Sequence, residues 1–372
     1  MTYSGGSADA APSVAQEVFA FDHDHGVPPR SLVHLLGGKG AGLAEMTTEL
    51  KLPVPPGFTI GLPVCRRYRS QGWPDGLDEV LRQRMAELGE KIGRRFGDER
   101  DPLLVAVRSG APQSMPGMLD TVLNLGLNDR TVLGLADSSG DERFAWDSYC
   151  RFLQAFATTV MNVPAEEIKP AMPDDGTAEA LRRQAAELKE RIERAAGRPV
   201  PEDPFDQLRQ AVEAVFGSWD SERAKAYRAA EGIDEEMGTA VNVQAMVFGN
   251  RGASSGTGVV FTRNPATGHP ELYGDYLPQA QGEDVVVGSA KTLPIAHLAD
   301  HLPEAHQELV RTLRRLEIHY RDICDVEFTV EQGRLWLLQT RVGKRGAIAA
   351  VRAAVNFVND PDIALTPAEA VS

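Results

Sequence analysis

The chain has 372 residues, 42% of them hydrophobic, and sets 39 Lys plus Arg against 53 Asp plus Glu for a net charge of −14. That length exceeds one ordinary core and predicts two or three globular subdomains, while the negative balance excludes a surface that holds nucleic acid through its phosphates. The small, polar opening MTYSGGSADAAPSVAQ has no basic start or apolar run of a secretion signal, and no later stretch reaches the roughly 20 apolar residues that cross a bilayer, so a cytoplasmic chain is expected.

Residues 1–16 read as a disordered tail, and an apolar strand, Val18 to Phe21, opens a first α/β lobe over 17–163. In FDHDHG, His23 and His25 stand beside carboxylates, but no third group of ligands accompanies them and the segment reads as a solvated loop. Cys65, Cys150 and Cys324 are odd in number and far apart, which argues against disulfides and zinc and for small buried side chains. From Gly37, GGKGAGLAEMTTEL reads as a glycine loop running into a helix, then a Pro-rich turn and the strand GFTI. LLVAVRSG is a buried strand that ends in a Gly-, Pro- and Met-containing loop, and FAWDSYCRFLQAFATTVMN has the length and spacing of a long helix.

Over 164–235 the character changes to charged helix broken by KPAMPDDG and RPVPEDP, which predicts a helical subdomain inserted between sheet-forming halves. Its Leu181, Ala185, Leu188 and Ile192 form one narrow apolar stripe, and Glu187 and Glu190 stand four residues before Arg191 and Arg194. Strands return over 236–345: TAVNVQAMVFG, GTGVVFTRN, ELYGDYL and GEDVVVG predict an antiparallel meander. A helix from Leu302 to His319 then leads into the hairpin CDVEFTVEQGRLWLLQTR, and the helix RGAIAAVRAAVNFV closes the chain over 346–372.

Strand periodicity sorts the hairpin's side chains. Asp325, Glu327 and Thr329 fall on one face, with Val326, Phe328 and Val330 on the other, and Gln339 and Arg341 share a face of the returning strand. Carboxylates two apart on a strand lie roughly 6.6 Å from each other, close enough to serve one or two hard cations on a polyphosphate beside a guanidinium. A solvated face of an edge hairpin explains the same pattern. At Gly37 to Gly40, glycines, a helix start and Lys39 make an anion site or a plain turn, and Arg108 ends a buried strand where ligand contacts are common. In RGASSGTGVVFTRNPATG, the hydroxyls of Ser255 and Thr257 suit a phosphate, and a hairpin turn accounts for its glycines equally well.

In order and wording, LLGGKGAGLAEM, LPVPPGFTI, AVRSGAPQSMPGMLDTVLNLGLND, FAWDSYCRFLQ, GTAVNVQAMVFGN, SGTGVVFTRNPATG, AQGEDVV and DVEFTVEQGRLWLLQTRVGKR resemble the nucleotide-binding portion of the pyruvate phosphate dikinase family, from about Leu35 to Arg345. They look more like that branch than the related phosphoenolpyruvate synthase. The resemblance implies an α+β, ATP-grasp-like fold of two α/β lobes, with ATP between them and its β,γ-diphosphate passing to a histidine on a mobile domain, leaving AMP. Carried over by residue, it implies that Lys39, Arg108 and Arg341 hold phosphates and that Asp325, Glu327 and Gln339 hold Mg2+. The loops at Gly117 and at Thr257 and Gly258 would close on the transferring phosphates. Gln244, Met246 and Val247 would lie near the adenine, with Arg151 and Glu283 also at the nucleotide.

Departures accompany the matches. Pro112 stands where the family has a second arginine, Leu119 where it has methionine, and GSAKT at Gly288 to Thr292 replaces GIRTP, with Ala290 in place of arginine. The sequence ends at Ser372, before the family's Thr- and Gly-rich histidine segment and its phosphoenolpyruvate barrel. The reading that follows is an ATP half acting on a separate histidine-bearing domain or protein. The resemblance places that partner's surface around Ser114 to Leu119 and Ser254 to Gly258, with Arg223 and Asp275. Two alternatives are a free-standing kinase with a small-molecule acceptor and a non-catalytic ATP-binding module.

Overall fold

The computed structural model describes residues 13–169, 176–287 and 291–371, and the chain divides into two compact units. Met1–His23, Ser31–Gly40 and Pro56–Gln244 make the first, and Asp24–Arg30, Ala41–Pro55 and Ala245–Ser372 the second. Among the described residues no helix is long and apolar enough to cross a membrane.

In chain order the first unit builds β1 (Val18–Ala20), the start of α1 (Val33–Thr48), β2 (Gly57–Ile60), α2 (Leu62–Gln71), α3 (Leu77–Ile92) and the two-residue strands β3 (Arg95–Phe96) and β4 (Pro102–Leu103). There follow β5 (Val105–Gly110), β6 (Thr121–Leu125), α4 (Thr131–Ser139), α5 (Glu142–Thr159), α6 (Ala178–Ala196), α7 (Pro204–Ser218), α8 (Glu222–Glu231) and β7 (Ala240–Ala245). The sheet order is β1-β2-β7-β5-β6. Every residue of β7 is buried, as for a strand covered on both faces. Oxygen caps start the helices: Asp141 accepts from Phe144 N, Thr177 from Ala180 N and Ser221 from Ala224 N.

The second unit holds β8 (Gly256–Phe261), β9 (Tyr273–Pro278), α9 (Gly282–Val287), β10 (Leu293–Pro294), α10 (Leu298–His301), α11 (Pro303–Tyr320), β11 (Cys324–Glu331), β12 (Arg334–Val342) and α12 (Ala347–Asn359). Its sheet, β10-β9-β8-β11-β12, is antiparallel throughout. Val260, Val326, Phe328 and Val330 are wholly buried, and α11 packs on β11 and β12 with Leu309, Leu313 and Leu316 inside.

The fold is α+β, as expected, with differences in detail. Residues 13–16 are ordered: a 3-10 turn spans Val14–Glu17, and buried Glu17 pairs with Arg67. Residues 1–12, the rest of the expected tail, lie outside the described residues. The helices of 176–235 form no separate subdomain. α7 packs on β5 and β6 of the first unit through residues such as Val212, Val215 and Phe216, all fully buried. The apolar stripe of α6 is as expected, with Leu181, Ala185, Leu188 and Ile192 at most 2% exposed.

TAVNVQA does not open the meander. It inserts as β7 in the first sheet, where it pairs with β2. GEDVVV is a helix, not a strand: Asp284 caps it by accepting from Gln281 N, and with Glu283 it places two carboxylates in the first turn, which outweighs the valines' strand preference. All three cysteines are free and buried, and burial pushes the Cys65 thiol up to about 11.

Candidate functional site

In the first unit, α1 breaks at Gly37, whose φ of 70° and ψ of 167° belong to a region that only glycine populates readily. A Cβ there would lie 1.7 Å from the Gly110 carbonyl oxygen. The helix restarts at once, so Gly38, Lys39 and Gly40 form the first turn of its second segment, the positive end of the helix dipole. The Gly38 N–H is taken by Ala111 O at 3.0 Å.

Lys39 is half-buried beside the end of β5, and Arg108 lies two residues before Gly110 on that strand. Arg108 Nη1 donates to Gln244 Oε1 at 3.4 Å. Two residues before Gln244, buried Asn242 accepts the Thr59 hydroxyl at 2.8 Å. Its Nδ2 meets no hydrogen-bond partner among the described residues and lies 2.6 Å from where a Gly110 Cβ would stand. Lys39, Arg108 and Gln244 thus share one neighbourhood.

Arg151 stands on α5, paired with Asp147 at 2.9 Å. Gly117 sits in the turn after Met115, whose side chain packs with Ala111, Trp219, Ala224 and Ile233; Leu119 packs against the same cluster. Arg223 is tied to Asp120 and to Met118 O. Pro112 lines an open cleft of about 850 Å3 with His34, Arg66, Arg69 and Glu236, which none of Lys39, Arg108 or Gln244 lines.

In the second unit, the register pairs Asp325 with Arg341 and Glu327 with Gln339 across β11 and β12, before a bulge shifts the pairing at Phe328. Thr329 pairs with Thr257 on the other side, and directly paired side chains share a face. The expected alternation therefore holds. Arg341 already engages Asp325, its Nε and Nη2 reaching Oδ2 at 2.7 and 2.6 Å. Two carboxylates and an amide are hard oxygen donors of the kind magnesium takes, so the side chains fit that ion.

The hydroxyls singled out from the sequence are committed elsewhere. Thr257 donates to Phe328 O at 3.0 Å, and Ser255 to Arg251 O at 2.5 Å while accepting from Gln332 N. A Cβ at Gly258 would strike Asp275 O and the Phe328 ring, so packing already explains that glycine. Glu283 is half-buried in the first turn of α9, and Met246 and Val247 are half-buried just past β7. Asp275 accepts the Thr292 hydroxyl; Ala290 lies outside the described residues.

Sequence reasoning missed a second polar cluster. Glu45, 4% exposed, takes Arg30 Nε at 2.6 Å, His319 Nε2 at 3.0 Å and the Tyr320 hydroxyl. Burial alone would raise its carboxyl, but the hydrogen bonds from Tyr320, His319 and Arg30 outweigh it and hold the group below the usual range. Burial pushes the Tyr320 phenol well up. No sequence signal joins residues about 275 apart. Only the lone acid amid the apolar residues of GLAEM hinted at a buried partner.

The family described as "Pyruvate phosphate dikinase, AMP/ATP-binding domain" matches residues 33–88, 70–300 and 296–357. Pyruvate, phosphate dikinase 1, chloroplastic, of Oryza sativa is 48% identical over 362 residues, which cover 94% of this chain and 38% of that protein. Pyruvate, phosphate dikinase 2 of Zea mays is 48% identical over 93% of this chain and 40% of its own length. The dikinase of Clostridium symbiosum is 46% identical over 93% and 41%. The chain thus spans about two-fifths of the length of these relatives, and it belongs to the pyruvate phosphate dikinase AMP/ATP-binding domain family.

Proposed function

We propose that this chain binds ATP with magnesium and passes the β,γ-diphosphate to a histidine on another domain or protein, releasing AMP. The observation that carries the reading is the register of β11 and β12, which sets Asp325 opposite Arg341 and Glu327 opposite Gln339 on one sheet face. In phosphoryl transfer the protein contributes position and charge neutralisation more than covalent chemistry, and this face supplies both kinds of group.

Asp325, Glu327 and Gln339 would hold magnesium, and the bound ion would neutralise polyphosphate charge. Arg341 would exchange part of its contact with Asp325 for a phosphate oxygen, a bidentate partner for which a guanidinium is suited. In the first unit, Lys39 and Arg108 would hold phosphate oxygens, with Gln244 fixing the Arg108 fork. Met246 and Val247 would offer apolar contact to the base, and Glu283 a hydrogen-bond acceptor to the nucleotide.

Titration calorimetry tests the reading. ATP is expected to bind at least tenfold more weakly in EDTA than with magnesium, since Asp325 and Glu327 repel an unaccompanied triphosphate. Asp325→Asn and Glu327→Gln should remove that metal dependence while melting cooperatively, because each amide keeps an acceptor oxygen and the side-chain volume and the Arg341 guanidinium facing the first is half-exposed to water. Equal affinity with and without magnesium would overturn it.

A further inference from the structure

The last helix, α12, is apolar on two opposite sides. Ala349, Ala353 and Phe357 are at most 2% exposed, and Ala353 and Phe357 pack with Ile323 and Ile363. The Arg263 guanidinium lies 4.6 Å from the Phe357 ring centre, and Arg352 donates to Thr267 O. The helix is therefore firmly seated. On its other side Ile348, Val351 and Val355 are 69%, 67% and 56% exposed.

At about 100° per residue these three fall within about 60° of one another and nearly opposite the buried three. Their spacing of three and then four is that of a seam between two helices. Arg352, Asn356 and Asn359 are the only polar residues of the helix, and a helix apolar all round belongs to an interior. Single exposed apolar residues are ordinary, but an aligned strip marks a contact.

We infer that the stripe Ile348–Val351–Val355 seats an amphipathic helix of the dikinase polypeptide that carries the phosphate-accepting histidine, an inference that rests on the function proposed above. Three-fifths of the length of the relatives lies outside their match to this chain, so a dikinase has ample polypeptide to cover the strip. A second copy of this chain fits less well. An isologous contact would set this helix, whose one charged residue is Arg352, against its own copy with no carboxylate to meet it. α12 itself carries one cation, Arg352, and no carboxylate, in a chain of net charge −14. The occupant's seam is thus expected to be flanked by Asp and Glu.

The test uses the full chain and, as probe, the part of the Clostridium symbiosum dikinase outside the match, made separately and shown by melting to be folded. The probe should bind, hydrogen exchange over 347–359 should slow, and Val351→Glu with Val355→Glu should weaken binding at least tenfold. Leu133→Glu, also at an exposed position, should leave binding unchanged, and both variants should melt as the parent does. No binding by the parent, undiminished binding by the double variant, or binding without slowed exchange would overturn the inference. So would sedimentation showing a dimer of the chain alone that the substitutions split. Magnesium-dependent ATP binding, measured on the same double variant, judges the proposed function separately: its persistence alongside failed docking would sink only the docking face.

Discussion

Glu45 is held by three partners, two of them about 275 residues away, and its replacement leaves the Arg30 guanidinium without a carboxylate, with the Tyr320 hydroxyl still accepting from it. Glu45→Gln should cost about 2–3 kcal/mol in urea unfolding at pH 7, below the full penalty for breaking a buried pair because Arg30 is one-third exposed. The Glu45 carboxyl titrates below its ordinary value of 4.5 when folded. Its contribution is therefore complete above about pH 4.5 and lost as pH falls through the lower folded value. The variant's stability should fall less steeply in acid than the parent's, and parallel acid limbs would show that Glu45 contributes nothing there. At this scale the β11 and β12 face was legible in the sequence, because a period of two needs only local order. Glu45 was not, because its partners are brought together only by the fold.

Among elements, α1 depends on one residue. Gly37 allows the chain to turn out of one helical segment and into the next against the Gly110 carbonyl, where a side chain would overlap backbone. Gly37→Ala should cost 3 kcal/mol or more, or prevent folding, since it adds both a clash with backbone and a strained φ. Gly217→Ala, in α7 with nothing within 4 Å of the new Cβ, should be neutral or stabilise by a few tenths of a kcal/mol. Equal melting of the two variants would remove Gly37 from this role. The sequence disclosed that a glycine turn precedes a helix, but not that the turn is one residue long. It misassigned GEDVVV because valine content speaks for a strand while a local cap from Asp284 decides for a helix. It placed TAVNVQA in the wrong sheet because a fully buried strand carries no mark of its neighbours.

For the whole molecule, the proposed transfer requires an acceptor that reaches the β-phosphorus in line, inside a site that excludes water. A histidine nitrogen would form the bond to the β-phosphorus as the bond to the bridging oxygen breaks, and AMP would leave with that oxygen and the electron pair. None of the eight histidines of this sequence stands in a Thr- and Gly-rich segment, and His319 is held against Glu45. The chain alone should accordingly bind ATP yet hydrolyse it slowly. Adding a histidine-bearing dikinase polypeptide should yield AMP, with label from γ-labelled ATP bound to that polypeptide in an acid-labile, alkali-stable form. Arg108→Gln should abolish the labelling while leaving cooperative melting, because Arg108 stands half-buried near the end of β5 and an amide can still donate to the Gln244 side chain. AMP and ADP separate by ion-exchange chromatography, so the readout does not depend on the partner's own turnover. Rapid formation of ADP with a small-molecule acceptor, and no label on the added polypeptide, would replace diphosphate transfer with a free-standing kinase using the same phosphate-binding residues.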